Sequence, residues 1–168
     1  MYSEAMRAAV TLLKYEQVTG LGAWFAARLA EIVARETQAF GSDLVVPVPL
    51  HPVRQRERGY NQAELIARPL AARIGVGLGS RVLIRVKPRP EKLLLSRREH
   101  WEAVRGAYEI RNGTDIDNLR ILLVDDVLTT GATLDACSRA LKKAGAVRVA
   151  GLTVARVSSV WLATPPGR

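Results

Sequence analysis

The sequence predicts an α/β protein built on a mostly parallel, twisted sheet flanked by helices. Three observations carry that expectation. Asp43–Pro49, Arg120–Val124 and Val147–Ala155 are apolar runs of strand length, and strands buried on both faces of a parallel sheet read as continuous apolar segments. Segments of helical period lie between them. Finally, Arg120–Asp126, the loop Leu128–Thr133, a helical stretch to Ala144 and Val147–Ala155 follow one another as strand, loop, helix and strand. That is the order of a right-handed βαβ unit.

Each element has a local reason. Residues 2–39 read as two helices; in the second, Leu21, Phe25, Leu29 and Ile32 recur near helical spacing. Gly41 and Ser42 break the pattern before the Asp43–Pro49 strand, which stops at prolines because proline donates nothing to a ladder. Leu50–Tyr60 is polar and basic and reads as a loop. Asn61 is placed to cap a helix over Gln62–Ile74, with Pro69 as a kink within it. Gly75, Gly77 and Gly79 close that region, and Arg81–Val86 is the next strand. Residues 87–105 are a long charged stretch of the kind that serves as a functional lid, with a short helix around Arg97–Ala103 capped by Ser96. Ala107–Ile110 reads as a strand and Asn112-Gly113 as a turn. Gly145 ends the helix that follows the Leu128–Thr133 loop, and the last ten residues read as a loose tail. The whole is expected to be one domain over residues 1–168, with a core over 41–156.

Composition narrows the function. The 168 residues carry a formal charge of +9, which favours anionic partners such as a polyphosphate, nucleic acid or both. No run of eighteen apolar residues exists, so no membrane span is expected. The single cysteine, Cys137, excludes an intramolecular disulfide and a multi-cysteine zinc site. A reducing, cytoplasmic setting fits.

The chemistry concentrates at Asp125–Thr133. Ligands of open α/β sheets bind beyond the carboxyl ends of the strands, where Asp125 and Asp126 fall. Two carboxylates facing such a crevice accept hydrogen bonds from ribose hydroxyls and attract Mg²⁺ through water. Thr129, Thr130 and Thr133 offer hydroxyls, Gly131 permits close backbone approach, and the loop opens a helix whose free N–H groups favour an anion. A Walker B strand also ends in acidic residues, but no Walker A sequence accompanies it. A receiver domain would place its acidic pair near the start of the chain.

At these residues the sequence resembles a known family. Val124-Asp-Asp-Val-Leu-Thr-Thr-Gly-Ala-Thr133 looks like the 5-phosphoribosyl 1-pyrophosphate (PRPP) motif of class I phosphoribosyltransferases. Val46-Pro-Val-Pro-Leu-His-Pro52 and Arg56-Glu-Arg-Gly-Tyr-Asn-Gln-Ala-Glu-Leu65 resemble the ComF family, associated with competence and DNA uptake. Tyr2, Arg7, Leu13-Lys-Tyr15, Leu95-Ser-Arg97 and Val104-Arg-Gly-Ala-Tyr108 extend the likeness over about residues 2–156. The resemblance implies the class I phosphoribosyltransferase fold with a flexible hood at about 87–105. It implies a PRPP or ribose 5-phosphate ligand with Mg²⁺, and transfer of phosphoribosyl to an acceptor. Asp125 and Asp126 would be the catalytic pair and would hold Mg²⁺ through water. Leu128, Thr129, Thr130, Gly131, Ala132 and Thr133 would bind the 5′-phosphate. Pro49, Leu50, His51 and Arg58 would face pyrophosphate.

The pattern also departs from the family. Lys92, His100 and Ala103 stand where the family has glutamine, arginine and asparagine, and Leu93-Leu94-Leu95 is unusually apolar. Relatives that use 6-oxopurines carry an aspartate where Thr129 stands, and threonine cannot serve as that base. The cysteine-rich zinc ribbon of many family members has no counterpart here. Of the cations in 87–105 (Lys87, Arg89, Lys92, Arg97, Arg98 and Arg105), one or two are expected to touch the ligand. A non-catalytic PRPP or nucleotide sensor and a single-stranded-DNA-binding accessory are the alternatives, and the sequence is compatible with a homodimer.

Overall fold

The computed structural model describes residues 4–88 and 96–157. The Tyr2 match, Arg89, Lys92, Leu93–Leu95, the side chain of Arg97 and the C-terminal tail lie outside the described residues. In chain order the elements are α1 (Glu4–Tyr15), α2 (Leu21–Arg35), α3 (Thr37–Phe40), β1 (Leu44–Pro47), α4 (Pro52–Arg58), α5 (Gln62–Ile74), β2 (Gly77–Leu78), β3 (Leu83–Arg85), α6 (Arg97–Val104), β4 (Tyr108–Ile110), β5 (Arg120–Leu128), α7 (Ala132–Lys143) and β6 (Arg148–Arg156).

Four strands form one sheet in the order β2-β1-β5-β6, and every pair in it is parallel. β3 and β4 form a separate antiparallel ribbon. The three apolar runs seen in the sequence are β1, β5 and β6, and both faces of their sheet are covered. Val46, Ile121 and Leu123 face a core shared with β3, β4 and α7. Val45, Leu122 and Val124 face a second core shared with α1, α2 and α5. Fully burying a side chain such as Phe25, Ile66 or Leu122 contributes about 1.5–3 kcal/mol. α2 and α5 pack closely because Gly22 lies against α5: a Cβ there would sit 2.6 Å from the Leu65 carbonyl oxygen.

The chain leaves β1 toward one side of the sheet and β5 toward the other. After β1 it passes through α5, on the second core's face, to the edge strand β2. After β5 it passes through α7, on the opposite face, to the edge strand β6. The strand order therefore reverses between β1 and β5. That is where an open α/β sheet leaves a crevice at its carboxyl edge.

Three expectations are corrected. Leu50–Tyr60 is not a loop: Pro52–Arg58 is helical, with Pro52 at its start and Gly59 closing it at φ +84°. It has no buried residue, so no apolar stripe announces it. β2 is a two-residue strand, too short to show a period. β5 continues past the carboxylates to Leu128 rather than ending at them. The helix after Asn61 runs through Pro69 to Ile74.

Candidate functional site

β1 pairs with β5 only as far as Pro47 opposite Val124, so Asp125 and Asp126 stand beyond the end of β1. Alternation along a strand sends adjacent side chains to opposite faces. Asp126 is buried and its Oδ1 lies 2.9 Å from Lys14 Nζ on α1. Its Oδ2 is buried with no hydrogen-bond partner among the described residues. Asp125 belongs to the other side, and its Oδ1 accepts from the Asp126 backbone N–H at 2.8 Å. Burial first, and then the Asp126 charge, push the Asp125 carboxyl well above the usual carboxylate range; the Asp126 N–H, Lys14 and Arg85 oppose this. The carboxylate pair is thus supported by two cations from different elements, Lys14 and Arg85.

Arg85 ends β3 and packs over Tyr108 at the start of β4. Its Nη1 donates to the Tyr108 hydroxyl at 3.1 Å, and its guanidinium carbon lies 5.3 Å from the ring centre. Burial pushes the Tyr108 hydroxyl up to about 12, so it remains a donor at neutral pH. The Cys137 thiol is pushed up by burial and then by Asp125, and it packs in the core without nucleophilic character.

The loop after β5 turns at Gly131 into the start of α7. Gly131 adopts φ +82°, ψ −7° as the N-cap of α7, a left-handed conformation that glycine takes without a Cβ penalty. The first N–H groups of α7 have no intrahelical carbonyl to reach, and the helix dipole favours an anion there. Thr129 is exposed and Leu128 half-buried. Ala132 is buried, so its contribution to the loop is its backbone. Thr130 Oγ1 lies 3.4 Å from the Ala132 N–H and 2.9 Å from His100 Nδ1 on α6. Thr133, half-buried in the first turn of α7, lies close to the Tyr108 hydroxyl.

The loop after β1 is held from below. Asn61 Nδ2 donates to the Val48 carbonyl at 3.0 Å, and Asn61 Oδ1 accepts from the Ala63 N–H at 3.0 Å. Pro49, Leu50 and His51 are half-buried beyond that anchor, and His51 opens α4. Arg58 turns toward α1, donating to Gln62 and stacking 5.3 Å from the Tyr15 ring centre. It lines a pocket of about 170 Å³ with Lys14, Tyr15, Arg54 and Tyr60. Tyr60 donates to the Leu13 carbonyl, which fixes the end of α1 that presents Lys14. A larger cleft of about 410 Å³ runs between Trp101 and the outer side of α7 and contains none of the residues of Asp125–Thr133.

Mg²⁺ fits this donor set. Mg²⁺ binds through one or two carboxylates plus waters and substrate phosphates, and Asp125 and Asp126 supply two carboxylates with one unpartnered oxygen. Among the described residues no group of three His, Cys, Asp or Glu forms a protein cage for a metal.

Sequence reasoning missed Lys14, Arg85 and the His100 contact as parts of this region. Lys14 stood inside the Leu13-Lys-Tyr15 match; Arg85 carried no signal beyond being a cation at a strand end.

The model of the phosphoribosyl transferase domain family matches residues 19–163. The chain belongs to that family. This phosphoribosyltransferase-family chain is 34% identical over 104 residues to competence protein F of Haemophilus influenzae, covering 61% of this chain and 45% of the relative. It is 29% identical over 151 residues to DNA utilization protein YhgH of Salmonella typhi, covering 88% and 66%. These relatives support membership of the ComF family. The chain spans about half to two thirds of their lengths. Among solved structures, purine phosphoribosyltransferase from Pyrococcus horikoshii superposes with a TM-score of 0.52 at 21% identity, over 85% of this chain and 79% of that one. That likeness bears on the fold, which is the class I phosphoribosyltransferase fold the sequence predicted. Among the described residues no helix is long and apolar enough to cross a membrane.

Proposed function

We propose that this chain binds PRPP with Mg²⁺ at the carboxyl edge of the sheet and transfers its phosphoribosyl group to an acceptor, releasing pyrophosphate. The observation that carries the reading is the juxtaposition, within seven residues, of the carboxylate pair Asp125–Asp126 and the left-handed Gly131 that opens α7. One end suits ribose hydroxyls and the other a 5′-phosphate.

In the transfer, the bond between ribose C1 and the pyrophosphate oxygen breaks with its electron pair leaving on pyrophosphate. The acceptor's lone pair forms the new bond to C1, and the acceptor gives up its proton to solvent or a base. Positive charge develops on the ribose ring as the bond breaks. Backbone N–H groups of Leu128–Thr133 hold the 5′-phosphate, and Asp125 and Asp126 accept from the ribose hydroxyls and stabilise that charge. Pro49–His51 cradle the pyrophosphate, with cations such as Arg58 nearby. Mg²⁺, when bound, supplies further charge neutralisation for the leaving group. Thr129 in place of an aspartate argues against 6-oxopurine acceptors. The cytoplasm, where PRPP is made, is the compartment that suits this reading.

The test is calorimetric titration with PRPP, with and without Mg²⁺, on the wild type and on Asp125→Asn with Asp126→Asn. Saturable, Mg²⁺-dependent binding that the double variant loses is expected. Equal binding by the double variant would remove the ribose assignment. Pyrophosphate release on adding candidate acceptors then separates an enzyme from a PRPP sensor.

A second reading has its own support. The relatives' names, competence protein F and DNA utilization protein, and the +9 charge favour a single-stranded-DNA-binding accessory. Anisotropy of a labelled oligonucleotide across a salt series tests it: affinity should fall steeply with salt, and no binding at low salt would dismiss it. Homodimer formation, read from sedimentation, is compatible with either.

A further inference from the structure

We propose that His100 is a ligand-binding residue of the phosphate loop, a donor carried by α6 that grips the 5′-phosphate opposite the start of α7. The proposal rests on the reading of Leu128–Thr133 as a phosphate cradle and adds to it a group from a different part of the chain.

The geometry converges on one atom. Thr130 Oγ1 meets His100 Nδ1 at 2.9 Å and the Ala132 N–H at 3.4 Å. With its proton on Nδ1, the imidazole donates into the same oxygen as the first N–H of α7. The contact from the helix is long, at the outer limit of a hydrogen bond. A neutral hydroxyl is a modest acceptor for two donors. A phosphate oxygen carries charge and several lone pairs, and hydrogen bonds to it are shorter and roughly twice as strong. The loop hydroxyl thus marks a point where polar groups from α6 and α7 already meet, beside a glycine whose backbone leaves room for an anion.

The position of the ring is built rather than incidental. Ser96 and Glu99 form a reciprocal capping box: Glu99 N–H donates to Ser96 Oγ at 3.2 Å and Ser96 N–H donates to Glu99 Oε2 at 2.7 Å. The His100 N–H then closes the first turn on the Ser96 carbonyl at 2.9 Å. The next residue, Trp101, packs against the core that contains α7. Helix start and helix anchor flank His100 and direct it at the loop.

Ribose 5-phosphate, without Mg²⁺ or pyrophosphate, is the probe, and inorganic pyrophosphate is the control ligand. Affinities are compared for the wild type, His100→Ala and His100→Asn, the last retaining an N–H near the Nδ1 position. Losing a hydrogen bond to a charged group predicts about tenfold weaker ribose 5-phosphate binding in His100→Ala. Pyrophosphate affinity should hold, and His100→Asn should recover part of the loss. Unchanged or tighter ribose 5-phosphate binding by His100→Ala overturns the proposal. So does an equal loss for both ligands, or a loss that Asn does not recover and that tracks a lowered melting temperature, since each assigns His100 to packing. If the wild type itself fails to bind ribose 5-phosphate, the phosphate-loop reading falls and this proposal falls with it.

Discussion

At the scale of single residues, the decisive fact is that the two adjacent carboxylates have different partners. Asp126, with a side chain 5% exposed, is compensated by Lys14, whose side chain is 22% exposed. An exposed ion pair contributes little, but removing one partner of a buried pair leaves an uncompensated charge in a poorly solvated place. Lys14→Met is therefore expected to lower unfolding stability in urea by about 3 kcal/mol. Combining it with Asp126→Asn should recover much of that loss, because the orphaned charge is then gone. A single-variant loss below about 1 kcal/mol would class the pair with surface ion pairs. Among the described residues Asp125 has no such dedicated cation within hydrogen-bond reach, and its Oδ1 is taken by a backbone N–H. It is held in place by the chain itself.

At the scale of elements, the site depends on how two loops are pinned to the helices behind them. Asn61 does this for the loop after β1. One side chain both caps α5 through the Ala63 N–H and donates to the Val48 carbonyl, and the residue is 7% exposed. Asn61→Ala removes a cap and leaves a buried carbonyl unsatisfied, so a loss of about 2 kcal/mol is expected in thermal or urea unfolding. Asn61→Asp keeps the cap but sets a carboxylate against a carbonyl, and it should be no better than alanine. Stability of the aspartate variant equal to wild type would show that the Val48 contact contributes nothing. The cap was legible because asparagine before a helical pattern has a local meaning; the Val48 contact was not, because nothing in the sequence says which carbonyl lies nearby. The same divide runs through the fold. β1, β5 and β6 were legible because a strand buried on both faces needs a continuous apolar run. α6 was legible from Ser96 as its cap; the Glu99 half of the capping box emerged only in the structure. α4 was hidden because its seven residues bury nothing, and its proline start and glycine end are equally the marks of a loop.

At the scale of the whole molecule, the two edges of the sheet are treated differently. The carboxyl edge gathers loop N–H groups, carboxylates and cations around a crevice. The amino edge is closed by structural ion pairs and hydrogen bonds. Asp43, just before β1, accepts from the backbone N–H and the guanidinium of Arg120 at the start of β5. Arg148, at the start of β6, donates to the Gln38 and Gly41 carbonyls. Part of the +9 charge is thus committed to fastening the sheet, which lowers what is free to attract nucleic acid. The Asp43–Arg120 clasp makes a pH prediction. Hydrogen bonds from Arg120 lower the Asp43 carboxyl from 3.8 to about 2. A depressed carboxyl means the unfolded chain binds the proton more readily, so the folded state gains from this group at higher pH. That contribution is full above pH 3.8 and is lost as pH falls through about 2. Asp43→Asn keeps an acceptor for the Arg120 N–H but removes the charge. The stability gap between wild type and Asp43→Asn, read from urea midpoints, should be constant near neutral pH, narrow below pH 3.8 and close near pH 2. A gap still open at the acid end would mean that asparagine disturbs the geometry of the clasp rather than its charge, and no gap at neutral pH would mean that solvent screens the pair completely.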